Sequence, residues 1–100
     1  MAATQFVYTI KMRIVWDEPK RQANIVMHGL DLADAESFDW ETAIVVPGHA
    51  GKGGRPRFRA IGWLAHELVT LVFSPLGAEA ISVISLRRAS RTERKLHDKT

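Results

Sequence analysis

The sequence predicts an α+β domain: a first strand, two N-terminal helices, an antiparallel sheet of about four strands and a C-terminal helix. Three observations predict it. Helical spacing with capping residues occupies residues 17–38, and alternating or fully apolar runs separated by turn-like breaks occupy residues 43–86. Ser90-Arg91-Thr92-Glu93 then has capping-box spacing at the head of a basic closing segment. Strands that follow one another at hairpin spacing, instead of alternating with helices, argue for α+β over a parallel α/β sheet. One hundred residues with 46% apolar and 25% charged content is the size and make-up of one globular domain, residues 1–100.

Taken in order, Phe6, Tyr8 and Ile10 alternate, and Met12, Ile14 and Trp16 continue the same face. Residues 1–11 are either the start of a long first strand or a flexible extension to it. Asp17 is an N-cap for a helix with Pro19 in its first turn, ending at His28 before Gly29. Ala23, Val26, Met27 and Leu30 form its expected buried stripe, while Lys20, Asn24 and His28 share a polar stripe free to face a groove. A second helix opens at Asp31, with Leu32, Ala35 and Phe38 as its apolar side. Residues 43–46 form a strand ended by Pro47, and 48–56 (GHAGKGGRP) a mobile connection lacking the P-loop pattern. The next strand, residues 57–63, sets Arg57, Arg59, Ile61 and Trp63 on one face and Phe58, Ala60 and Gly62 on the other. Residues 68–73 are a central strand buried on both faces, residues 74–77 a turn, and residues 80–86 the last strand.

Composition then limits function. Without cysteine there is no disulfide and no thiolate metal site, which fits a reducing cytosol. No apolar run has the length of a membrane span, and no secretory signal core is visible. The net charge of +3 conceals segregation. Residues 31–41 hold five acids and no Lys or Arg; residues 52–59 hold four basic residues and no acid. From Arg87 onward six basic residues face two acids. Two basic segments flanking the sheet point to a side that faces a polyanion.

Three ordered segments carry a resemblance: WDEPKRQANIVMHG (16–29), RFRAIG (57–62) and ISLRRASRTERKLH (84–97). Over residues 14–97 the chain resembles the BrnT family, ribonuclease toxins of type II toxin–antitoxin modules. The resemblance implies a fold related to the RelE-like and barnase-like small ribonucleases. It also implies metal-independent endoribonuclease activity that inhibits translation. The implied partner is a small BrnA-type antitoxin, held in a hetero-oligomer, and operator DNA would be reached only through that antitoxin. The chain departs from the family pattern at Val15, Met27, Ser82 and His97, where an acid, a Lys, an Arg and a Tyr are usual.

Cleavage of RNA by its own 2′-OH needs a base, cations to stabilise phosphoryl charge, and an acid for the leaving oxygen. Arg57 and Arg87, each at a strand terminus, are the expected phosphate binders, since a guanidinium meets a phosphate bidentately. His28 is an acid/base candidate, although a His in a last helical turn also complements the dipole. His97 takes the family's Tyr position and is a second proton-transfer candidate. Glu93 is a third, although its capping role already accounts for it. Lys20 and Asn24 are expected to hold substrate, with Arg88 and Arg91 adding non-specific RNA affinity. Trp16, Trp63 and Phe73 read as core. The histidines (28, 49, 66, 97) lack zinc-site spacing, so no metal or cofactor is expected. The rival reading is a non-catalytic basic module that binds nucleic acid or a protein partner.

Overall fold

The computed structural model describes residues 12–99, so the two alternatives for residues 1–11 lie outside the described residues. Five strands form one sheet in the order β1-β5-β4-β3-β2: β1 (Arg13–Trp16), β2 (Ile44–Pro47), β3 (Phe58–Leu64), β4 (Glu67–Leu76) and β5 (Ala80–Arg88). The expected antiparallel meander is present from β2 to β5. The expected sheet of about four strands is short by one, because β1 adds to β5 in parallel, with Ile14 opposite Ile81 and Trp16 opposite Val83. The sheet is therefore mixed. Such a parallel pairing needs a long crossover, here the helical segment and the meander between the two strands.

Helix α1 (Glu18–His28) begins at Asp17, whose side chain accepts from Lys20 N–H, and stops at Gly29 with φ 70°. The second expected helix is a single 3-10 segment, Leu32–Ser37, capped by Asp31. This segment, and not α1, supplies the helical half of the core. Leu32, Ala35 and Phe38 pack with Ala60, Val69, Leu71, Phe73, Ile81, Val83 and Leu86. Gly62 makes that approach possible, since a Cβ there would stand 2.8 Å from Phe38 Cζ and 2.9 Å from Ala43 Cβ.

Of the stripe expected to bury α1, Leu30 packs partly buried against the core, while Ala23, Val26 and Met27 face outward. Val26 is 88% and Met27 77% exposed, whereas Asn24 from the polar stripe is 5% exposed. The reason is polar docking. Asn24 donates to the carbonyls of Leu30 and Leu86 (both 2.8 Å) and accepts from Leu86 N–H (3.1 Å). Arg21 adds a fork onto Asp31 (2.9 and 3.1 Å). Trp63 is likewise not core: it is 38% exposed, while Phe73 is buried and Trp16 packs partly buried against the core. The chain also continues as strand through Ser74 and Pro75, which pair with Ser82 and Ile81, so the turn comes after Leu76.

Helix α2 (Arg91–Asp98) carries the full capping box between Ser90 and Glu93. It lies on the other face of the sheet, over the buried Ile61 and Leu68, which alternate away from the main core. Among the described residues no α-helix covers the rest of that face, toward the β2–β3 loop. Among the described residues no helix is long and apolar enough to cross a membrane.

Candidate active site

Strand alternation puts Arg57, Arg59 and Ile61 of β3 and its approach, Thr70 and Val72 of β4, and Ser85 and Arg87 of β5 on the face shared with α2. The register aligns them, with Arg59 opposite Val72, Thr70 opposite both Ile61 and Arg87, and Val72 opposite Ser85. Glu93 descends from the first turn of α2 into this row and is 2% exposed.

Its carboxylate gathers five donors. Arg87 binds it as a fork, Nη1 to Oε1 at 2.7 Å and Nη2 to Oε2 at 2.9 Å. Arg59 Nη1 donates to Oε2 (2.7 Å), while Thr70 Oγ1 and Ser90 N–H donate to Oε1 (each 2.8 Å). These bonds, the Arg87 pair first, hold the Glu93 carboxyl well below the usual carboxylate range against the opposing push of burial; Ser90, Thr70 and Arg59 add to them. The same contact raises Arg87 above its already high value. Glu93 is thus a fixed anion that aligns two arginines, and no lone pair is left over for a substrate proton.

Arg57 is placed differently. Among the described residues it makes no ion pair, and its Nε is the one side-chain polar atom buried without a hydrogen-bond partner. The β2–β3 loop holds it. This loop was expected to be a mobile connection, yet it is internally bonded: Gly48 N–H donates to Arg57 O, and Gly51 N–H to Arg55 O (both 2.8 Å). Three guanidiniums therefore share one sheet face with a single buried carboxylate.

The remaining candidates disperse. Arg88, the next residue along β5, alternates to the opposite side, where it donates to Glu67 (2.7 Å) and to the carbonyl of His28 (3.0 Å). His28 accordingly ends α1 on the core side, across the sheet from Arg87. Asn24 has both ends of its amide spent on backbone, which leaves it nothing for a ligand. Lys20 and Arg91 are exposed side chains, on α1 and at the start of α2. His97 lies four residues after Glu93 on the same side of α2, with Nε2 3.1 Å from Thr42 O and its ring edge-on to Trp63. Arg59 and Thr70 were not among the expected site residues. Arg57 was chosen for its place at a strand terminus, but the alternation that sets it on this face sets Arg59 there equally, whereas Thr70 gives no signal until β4 is paired. No group of three His, Asp or Glu among the described residues is arranged to hold a metal ion.

Comparison with known proteins places this arrangement. A family model described as ribonuclease toxin, BrnT, of type II toxin-antitoxin system matches residues 16–93. The chain belongs to the BrnT family. It is similar to the Brucella abortus ribonuclease toxin BrnT, known from a crystal structure at 1.1 Å resolution, with 46% identity and a TM-score of 0.65. The match covers 80% of this chain and 99% of that one. No match was found among curated proteins. The family is one of ribonuclease toxins, and its type II toxin–antitoxin setting implies an antitoxin partner. Its matched region contains Arg57, Arg59, Thr70, Arg87 and Glu93, and stops before His97.

Proposed function

We propose that this BrnT-family chain is a metal-independent endoribonuclease of the cytoplasm, related in fold to RelE-like ribonucleases, which cleaves RNA by 2′-OH attack and so inhibits translation. The observation that carries the reading is the sheet face itself. Arg57, Arg59 and Arg87 present three guanidinium charges against the one carboxylate of Glu93, leaving a positive surplus where a phosphoryl group would gain charge. Arg59 and Arg87 are held in place by Glu93, and Arg57 brings charge that pairs with no carboxylate among the described residues. Proton transfer falls to His97, because Glu93 is consumed by its donors and His28 is across the sheet. A BrnA-type antitoxin would bind the toxin and carry operator recognition.

The test is cleavage of a defined RNA by purified protein in the presence of EDTA. Arg57→Ala is expected to reduce the rate on the order of 100-fold, the scale of losing one preorganised charge-stabilising group. His97→Ala is expected to reduce it about 100-fold with RNA affinity retained. Cleavage that vanishes in EDTA and returns with a divalent ion would overturn the metal-independent reading. A second reading, binding without cleavage, draws on one observation: among the described residues the three arginines share their hydrogen bonds with Glu93 and backbone, and none joins them to an imidazole. Salt-sensitive RNA binding with no product under any condition would favour it.

A further inference from the structure

Gly51 lies in the loop between β2 and β3, and its own backbone gives no reason for glycine. Its φ of −80° and ψ of −174° are extended values that any residue adopts. The reason is space. A Cβ at this position would stand 2.7 Å from Arg57 Nε and 3.1 Å from both Cζ and Nη2. The guanidinium therefore rests directly on the bare Gly51 backbone, in the volume that any other side chain would fill. Gly51 is itself fixed from both sides, its N–H donating to Arg55 O (2.8 Å) and its carbonyl accepting from Gly54 N–H (3.1 Å). Under this cover Arg57 Nε is buried and makes no hydrogen bond. A donor shut away unpaired is unfavourable and rare, so the contact is maintained against its own cost. An unpaired buried group of this kind calls for an explanation, and a catalytic role is one.

We infer that Gly51 is a positioning residue for RNA cleavage: its uncovered backbone seats the Arg57 guanidinium and fixes the one arginine of the site that no carboxylate holds. The inference rests on the reading of Arg57 as a phosphate binder. Arg59 and Arg87 are aligned by Glu93, an anion in the sheet, and Arg57 by a loop contact, so the face has two separate means of orienting its cations. The loop's glycine-rich character then serves close approach at Gly51, apart from the left-handed turn at Gly53 and Gly54, where φ is 73°.

Gly51→Ala is the informative change. The added methyl meets only the end of a flexible side chain, so the melting temperature is expected to stay where it is while the guanidinium moves. Two measurements read this independently. By nuclear magnetic resonance the Arg57 Nε–H of the parent should exchange slowly with water, and this protection should be lost in Gly51→Ala. In RNA cleavage Gly51→Ala should cost between about 10-fold and about 100-fold, the scale of a reacting group displaced by about an ångström. In an Arg57→Ala background the same change should cost nothing further, because no side chain is then left in that space to displace. Unchanged Nε–H protection in Gly51→Ala overturns the inference, and so does an equal further loss of cleavage in the Arg57→Ala background. If the parent cleaves no RNA the ribonuclease reading fails, and the exchange measurement alone then decides for or against the seat.

Discussion

A carboxylate that accepts from two guanidiniums, a hydroxyl and a backbone N–H is a structural charge, and Glu93 is one at 2% exposure. Its worth is largest in its absence. Glu93→Gln leaves Arg59 and Arg87 facing an amide that donates as readily as it accepts, and breaking a buried pair in this way costs about 3 kcal/mol or more. Because the folded-state carboxyl is held far below its ordinary value, its contribution is complete above the unfolded-state value of about 4.3 and is lost progressively as pH falls below that. Urea midpoints measured from neutral to acid pH should therefore show a gap between parent and Glu93→Gln that is widest near neutrality and narrows toward about pH 2. A constant gap would mean that packing, not charge, holds α2 down.

At the scale of elements, α1 separates what sequence periodicity can and cannot show. Its two ends were legible, since the Asp17 cap and the Gly29 stop depend on neighbours within one turn. Its orientation was not. Apolar spacing assumes that a helix docks through apolar contact, whereas this one docks through the Asn24 amide on the Leu86 backbone, a partner 62 residues away. Asn24→Ala should accordingly cost about 2 to 3 kcal/mol, the scale of leaving buried backbone groups unpaired. Val26→Ser with Met27→Ser should change stability by less than about 0.5 kcal/mol, as exposed substitutions do. Chemical denaturation of the two variants checks both, and the reverse order would restore the apolar stripe. The parallel addition of β1 to β5 escaped for a related reason: a four-residue strand records its own alternation but not its partner. In the site, the shared face of Arg57 and Arg59 was readable from alternation within β3. The carboxylate that binds Arg59 lies 34 residues further on and was visible only as a helix cap and a proton-transfer candidate, not as a partner for arginine.

Across the whole molecule the sheet separates the charges. The acidic 3-10 segment packs by Leu32, Ala35 and Phe38 on one face, while Arg57, Arg59 and Arg87 occupy the other. A polyanion is then drawn to one side and repelled from the opposite layer, so sidedness is a property of the fold as much as of any residue. RNA with 2′-O-methyl groups, which lacks the attacking hydroxyl, allows the binding to be measured alone. The dependence of log affinity on log salt should become shallower by about 0.7 in Arg57→Ala, as expected for one lost contact to single-stranded phosphate. Lys20→Ala, an exposed change on α1 in the helical layer, should leave that slope unaltered. If Lys20→Ala flattens the slope as much as Arg57→Ala, RNA runs over the helices, and the open sheet face cannot be where its phosphates are held.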